Sequence, residues 1–254
     1  MIYVALPVHD EQHTVGVLMW KIRGILTELG RDFRILAVDD ASTDRTAEVL
    51  EPYRRVLPLT VITHEGRRGY AASLERLIRE AVRRSEYPRR DAILTLQADF
   101  TDAPEAIPDM VRRFQGGADL VLARPVGLRR APRAVRLARV GARLIARRLP
   151  LPARGADPVC GFRLYRLVAL KRALDAIPAG EPLLRHDGWA ANTELLLAAC
   201  QHARKIEVVE CPVSYERRYR GSRFRPVAEL RSLARATRDA RVRRLARAAL
   251  ELRG

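Results

Sequence analysis

The chain has 254 residues, 48% of them hydrophobic, which excludes a disordered protein and allows a sizeable core. Its formal net charge of +17 asks for an anionic partner, whether nucleic acid, an anionic membrane or a phosphate-rich substrate. Lysine stands only at positions 21, 171 and 205, so the charge is almost all arginine, a bias that a GC-rich genome also writes on a surface.

Taken in chain order, Ile2–Pro7 reads as a buried strand and Thr14–Leu29 as an amphipathic helix. Phe33–Val38 is a second strand, followed by a helix from Thr43 to about Arg55 that Ser42 or Thr43 is expected to cap. Leu59–Thr63 and Ala92–Leu96 are further strands, separated by a helix over Gly69–Arg84. A helix over Pro104–Gln115 and a strand over Leu120–Ala123 continue the rhythm. This alternation predicts an α/β fold with a doubly wound, mostly parallel sheet covered by helices on both faces. The last third differs: a basic helix over Arg133–Leu149, a Pro/Gly-rich turn over Pro150–Pro158, a helix over Trp189–Cys200 and a strand over Ile206–Val209. A basic amphipathic helix from Pro226 to about Leu252 closes the chain, so residues 1–225 are expected as one domain and 226–254 as a helical tail. That tail has two readings, a helix lying in an anionic membrane interface or one packed on the domain with a solvated arginine face.

In such sheets a ligand site lies beyond the carboxyl ends of the strands. His9-Asp10-Glu11, Asp39-Asp40, Glu65-Gly66 and Asp99 all fall there, and polar residues at four successive strand ends are hard to explain by packing. Asp40 or Asp44 has a second reading as a helix N-cap, and Gly66 and Gly69 as residues of a turn with positive φ. No run approaches the roughly 20 apolar residues of a spanning helix. Pro7 and Asp10 interrupt the opening segment too soon for a signal peptide. Cys160, Cys200 and Cys211 show no CxxC spacing, which predicts a reducing compartment and no structural zinc.

Read together, these segments resemble the family-2 glycosyltransferases, and within them the polyprenyl-phosphate (dolichol-phosphate) sugar synthases. Pro7-Val8-His9-Asp10-Glu11 is similar to an opening P-x-x-N-E, and Val38-Asp39-Asp40-Ala41-Ser42-Thr43-Asp44 to V-D-D-G-S-x-D. Glu65-Gly66-Arg67-Arg68-Gly69 is similar to the family's glycine-rich loop, and Gln97-Ala98-Asp99 stands where the family carries D-x-D. Asp157-Pro158-Val159-Cys160-Gly161-Phe162-Arg163 is similar to D-x-x-S-G-F-R, and Asn192-Thr193-Glu194-Leu195 with Val209-Glu210-Cys211-Pro212-Val213-Ser214-Tyr215 to E-L…E-V-P-V-x-Y.

The resemblance implies a GT-A fold, Rossmann-like in binding a nucleotide sugar, and an inverting transfer from a UDP- or GDP-linked donor to a polyprenyl phosphate or other acceptor. It implies Pro7, Val8, His9, Glu11, Asp39, Asp40, Gly66, Arg67, Gly69, Gln97, Ala98 and Arg223 for the donor. Asp99 and Gln97 are implied for Mg²⁺ or Mn²⁺, which takes up charge on the departing diphosphate. Gln97 departs from the pattern, because an amide is a poor metal ligand. Either Asp99 binds metal with Asp102 or water, or arginines neutralise the diphosphate instead, or the protein is a silent relative. Arg124 and Arg217 match family arginines near the acceptor and donor phosphates. A hydroxyl acceptor needs a general base, for which Asp157, Asp187 and Glu194 are the candidates, whereas a phosphate acceptor needs none. The expected setting is cytoplasmic, peripheral at the inner membrane face. A basic nucleic-acid-binding protein explains the charge but not the strand-end acids, so no nucleic-acid partner is expected.

Overall fold

The alternation of β1 (Ile2–Val8) shows how the sheet is buried on both faces. Ile2, Val4, Leu6 and Val8 pack on one side with α1 (Val15–Glu28) and α4 (Ile107–Gln115). Tyr3 and Ala5 pack on the other with α3 (Tyr70–Arg84), α6 (Leu167–Asp175) and α7 (Trp189–Cys200). Successive side chains of a strand point to opposite faces, so a strand covered on both sides is apolar throughout. The computed structural model describes residues 1–147, 149, 156–213, 224–239, 242 and 244.

The sheet has seven strands in the order β3-β2-β1-β4-β6-β5-β7. The others are β2 (Phe33–Asp39), β3 (Leu59–Thr63), β4 (Ala92–Thr95), β5 (Leu120–Val126), β6 (Arg163–Arg166) and β7 (Ile206–Pro212). Among the described strands only β6 runs against its neighbours, pairing antiparallel to β4 and to β5. Strands β2 and β3 extend the sheet on one side of β1, and β4 begins the other side. That reversal opens a crevice at the carboxyl ends of β1 and β4, where the segments 7–11 and 97–102 emerge.

The sequence pattern did not disclose β6 or α6, since β6 is four residues long with arginine at both ends. Helix α2 (Thr46–Val56) starts later than expected, and neither Ser42 nor Thr43 caps it. Instead Asp44 accepts a hydrogen bond from the Thr46 backbone N–H at 2.9 Å, while the Ser42 hydroxyl donates back to Asp39 at 2.5 Å. Within the expected tail, α8 (Pro226–Arg238) packs on α7 and on α5 (Arg133–Ala146). Leu233, Ala236 and Thr237 of α8 are buried, so the face that would lie in a membrane interface is turned into the domain. Among the described residues no helix is long and apolar enough to cross a membrane.

The chain turns sharply after three strands. Asp10, Ala41 and Phe100 adopt positive φ of 50°, 53° and 60° after β1, β2 and β4 respectively. For alanine this left-handed conformation is strained, because Cβ crowds the carbonyl oxygen. Ala41→Gly is therefore expected to stabilise the fold by about 1 kcal/mol, the relief of strain exceeding the added freedom of the unfolded chain. Urea denaturation of the two proteins measures the difference.

Candidate active site

The loops after β1 and β2 are knitted to one another. Asp10 accepts hydrogen bonds from the Thr43 N–H at 2.6 Å and the Asp44 N–H at 3.3 Å, and its own N–H donates to the Ser42 hydroxyl at 2.9 Å. The Glu11 N–H donates to Thr46 Oγ1 at 2.8 Å, and the Glu11 carboxylate accepts from the Thr14 hydroxyl at 2.8 Å. Asp39 closes its own turn by accepting from the Ser42 N–H at 3.0 Å. Glu11, Thr14, Asp39 and Thr46 are buried, where polar groups are costly unless hydrogen-bonded, so this web fixes both strand ends.

Asp40 holds the next loop. Its carboxylate accepts from the backbone N–H groups of Arg68 and Gly69, each at 2.8 Å, and lies 2.8 Å from His64 Nδ1. Burial pulls its pKa upward, but the hydrogen bonds from His64, Arg68 and Gly69 outweigh it and hold Asp40 below its ordinary value. Gly69 has φ of 93° and precedes α3, and a Cβ there would lie 2.8 Å from Asp187 Oδ2. Gly66 has neither constraint, since a Cβ would meet nothing within 4 Å. The loop thereby presents Arg67 and Tyr70 to a cleft at the crevice of β1 and β4.

That cleft encloses about 270 Å³ and is lined by Pro7, Val8, His9 and Glu11 after β1, by Asp40 after β2, and by Gln97, Ala98, Asp99, Thr101 and Asp102 after β4. Asp99 accepts from the Thr101 N–H at 3.0 Å, and Asp102 from the Gln97 N–H at 3.3 Å. Both acids are buried. Among the described residues no three His, Cys, Asp or Glu side chains come together to hold a metal ion. Two carboxylates are nevertheless enough for Mg²⁺, which is commonly held by one or two protein carboxylates with substrate phosphates and water completing its shell. The donor set of Asp99 and Asp102 fits an ion that arrives with a diphosphate.

The far wall comes from Val159, Cys160 and Gly161, from Trp189 and Asn192 on α7, from Val135 and Arg139 on α5, and from Phe224 and Glu229. Asn192 accepts from the Tyr70 hydroxyl at 2.8 Å and donates to the Val159 carbonyl at 3.1 Å, bridging the two walls. Burial pushes the Tyr70 pKa up, which keeps this phenol a donor. Glu229 accepts from the Trp189 N–H at 2.7 Å, and Gly188 leaves it room, since a Cβ there would collide with the carboxylate. Burial raises the pKa of Glu229 despite that hydrogen bond, with Asp187 adding to the rise. Trp189 lies 4.9 Å from Phe224, and the Arg139 guanidinium sits 5.6 Å above the Trp189 ring. One end of the cleft is thus acidic, and the other is aromatic and aliphatic with Arg139 and Glu229 as its charged side chains.

The model of glycosyl transferase family 2 matches residues 3–174, which carry most of the sheet and the acidic half of the cleft. The chain belongs to that family. Among curated relatives, it is 33% identical over 124 residues to the undecaprenyl-phosphate 4-deoxy-4-formamido-L-arabinose transferase of Pseudomonas aeruginosa, covering 48% of this chain and 34% of the relative. The enzyme of that name from Photorhabdus laumondii is 26% identical over 171 residues, 64% of this chain and 48% of the relative. The chain thus spans between a third and a half of the length of these relatives. Among solved structures, glucosyl-3-phosphoglycerate synthase from Mycobacterium tuberculosis, with Mn²⁺, UDP and phosphoglyceric acid, superposes with a TM-score of 0.63 at 20% identity, over 92% of this chain and 75% of that one. TarS of S. aureus superposes with a TM-score of 0.53 at 19% identity, over 84% of this chain and 60% of that one. The fold is the GT-A fold of these glycosyltransferases.

Of the residues that the family-2 resemblance implied, Pro7, Val8, His9, Glu11, Asp40, Arg67, Gln97, Ala98 and Asp99 line the cleft. Asp39, Gly66 and Gly69 are not among its lining residues. Arg124 lies exposed on β5 and pairs with Glu210, its neighbour across β7. Asp157 forms a salt bridge with Arg139 at 2.6 Å and accepts from the Val159 and Cys160 N–H groups. Glu194 accepts from the Arg185 N–H at 2.7 Å and pairs with His186. Asp187 accepts from the Ala71 N–H at 2.8 Å. None of these three acids lines the cleft. Arg217 and Arg223 lie outside the described residues. Sequence reasoning passed over Arg139, Trp189, Asn192 and Glu229. Asn192 stood within a quoted motif, but its acidic neighbour Glu194 drew the assignment.

Asp40→Asn removes one acceptor from a set of three donors. It is expected to destabilise the protein by about 1–3 kcal/mol at neutral pH and to loosen the 65–69 loop. Because the native pKa is lowered, the stabilisation is complete above the ordinary carboxylate range, near pH ~4, and fades as pH falls through the depressed value. Denaturation of both proteins across that range should show the gap closing in acid; a gap constant with pH would contradict this role.

Proposed function

We propose that the protein is an inverting, nucleotide-sugar-dependent glycosyltransferase whose acceptor is a polyprenyl phosphate. One observation carries the reading: Glu11, Asp40, Asp99 and Asp102, from the ends of three parallel strands, line a single cleft together with Arg67. A cleft so acidic repels a free diphosphate, so it suits a nucleotide sugar that binds with a divalent cation. Asp99 and Asp102 would hold Mg²⁺ or Mn²⁺, whose charge stabilises the departing nucleoside diphosphate. Arg67 supplies a guanidinium to the same phosphates, and Pro7, Val8, His9 and Glu11 bound the nucleoside end. Transfer then forms a bond from the acceptor oxygen to the anomeric carbon as the bond to the diphosphate breaks, with attack from the opposite face inverting that centre.

The acceptor class follows from what the cleft offers at its other end. The three acids expected as bases are each engaged in structural hydrogen bonds away from the lining. A phosphate acceptor is already an anion and needs no base. Val135, Val159, Trp189 and Phe224 form an apolar wall suited to the first carbons of a lipid chain, beside the Arg139 cation. The printed names of the curated relatives, undecaprenyl-phosphate sugar transferases, agree with that choice. A lipid acceptor implies work at a membrane, and we assign the protein a peripheral place on the cytoplasmic face.

A thermal-shift titration with UDP, GDP and their sugar conjugates, with and without Mn²⁺, tests the donor half. One nucleotide should raise the melting temperature, more strongly with Mn²⁺. Asp99→Asn should abolish the Mn²⁺ enhancement and lower kcat/KM by about 100-fold or more in transfer to a polyprenyl phosphate. No shift with any nucleotide, with or without metal, would refute the transferase reading and favour a silent relative, to which Gln97 is the pointer.

A further inference from the structure

Helix α5 carries two apolar faces, and the fold uses only one of them. Ala138 and Ala142 are buried against Val159, Trp189 and Leu233. Leu137, Val140 and Leu144 recur at three- and four-residue spacing on another face, where they are 72%, 54% and 55% exposed. They make up three of the nine large hydrophobic residues that are exposed among those described, gathered on one helix. Val227 on α8, which packs along α5, is also 59% exposed.

The charge carried by the α5 stretch itself is of one sign. The sequence has no acidic residue between Asp119 and Asp157. Arg129, Arg130, Arg133, Arg136, Arg143 and Arg147 are all exposed on or beside α5, and none is paired with an acid among the described residues. We propose that this outer face of α5 is the surface by which the protein docks on an anionic lipid bilayer, with Leu137, Val140 and Leu144 entering the headgroup–acyl boundary and the arginines meeting lipid phosphates. Aliphatic residues flanked by unpaired arginines on one helix are what an interfacial helix requires. A second copy of the chain would bring the same arginines face to face, and repulsion opposes that pairing. Of the two readings of the C-terminal helix, α8 follows the one packed on the domain, its apolar side spent on that packing.

The placement also serves the site. The same helix contributes Val135 and Arg139 to the cleft lining, so docking sets the aromatic end of the cleft within about one helix diameter, ~10 Å, of the lipid surface. This deepens the proposed function, since it rests on an acceptor whose phosphate lies at a membrane.

The test is co-sedimentation of the protein with vesicles of phosphatidylcholine, or of phosphatidylcholine and phosphatidylglycerol in equal parts. The protein should pellet with the mixed vesicles, much less with phosphatidylcholine alone, and progressively less as salt is raised. The combined variant Leu137→Glu, Val140→Glu and Leu144→Glu should lose vesicle affinity by at least ~10-fold while keeping its melting temperature and its nucleotide-sugar thermal shift. Val17→Glu, which places the same charge on exposed α1, should bind as the parent does. The proposal falls if the parent stays in the supernatant, if the triple variant pellets unchanged, or if Val17→Glu is equally impaired. It falls equally if light scattering shows a dimer that the triple variant dissolves and vesicles never bind. Vesicle binding without any nucleotide response would leave the docking surface standing and remove the transferase reading instead, so the two are judged separately.

Discussion

The cleft depends on one buried cation. Arg163 is 1% exposed and sits on β6, the strand inserted backwards between β4 and β5. Its guanidinium donates to the carbonyls of Asp157 at 3.1 Å and Pro158 at 2.8 Å, to the Asn192 carbonyl on α7, and to the Tyr165 hydroxyl at 3.2 Å. A charge this deep is costly, and these four hydrogen bonds from the two terminal nitrogens offset that cost, while Nε is left without a hydrogen bond among the described residues. The fork can reach those acceptors only if the 157–161 segment folds over the sheet beneath α7. That fold presents Val159, Cys160 and Gly161 to the ligand and lets Asn192 span to Tyr70. Lysine has one point of charge in place of a planar fork, so it could not serve the turn and the helix together. The far wall of the site is thus positioned from below by a residue outside the cleft lining.

The acidic wall was legible in the sequence because each of its parts sits at a strand end, and strand ends are easy to find in a β-α alternation. Pro7 to Glu11, Asp40 and Asp99 needed only the rhythm of apolar runs to be placed near one another. The far wall gave no such signal. Every residue of α7 from Trp189 to Cys200 is buried, so no polar face betrays which side meets the cleft. β6 is too short and too basic to read as a strand, although it determines how β5 and β7 attach. Acids in the quoted motifs attracted catalytic roles by their chemistry alone. Asp157 and Glu194 hold turns together, and only the hydrogen-bond partners distinguish such a carboxylate from one that faces a substrate.

Gln97 illustrates how a local departure is absorbed. Its side chain lines the cleft without charge, yet its backbone N–H donates to Asp102, which comes from the turn just beyond. Phe100 takes φ of 60° inside that turn, and the tight reversal brings Asp102 back towards the strand end. Two carboxylates, Asp99 and Asp102, therefore stand after β4 in the cleft lining, although their spacing in sequence is not that of D-x-D. The carboxylate of Asp102 is felt at a distance, since together with burial it raises the pKa of the Cys160 and Cys211 thiols. The rise favours the protonated thiol at both positions.

The two basic helices show why amphipathicity in a sequence does not name its own partner. α5 and α8 alternate apolar residues and arginines in the same way, and either pattern is compatible with a membrane. Packing separates them. Gly141 on α5 admits Leu230 of α8 so closely that a Cβ would lie 3.2 Å from the leucine, and Leu233 follows one turn later into full burial. Once that seam is made, α8 has spent its apolar face. α5 pairs through its small residues, Ala138, Gly141 and Ala142, and keeps its large ones, Leu137, Val140 and Leu144, outside. A helix that buries its alanines and exposes its leucines reverses the usual economy of a soluble surface. The reversal is costly in water and ceases to be so where the surroundings are apolar, which is the physical reason for placing lipid against that face.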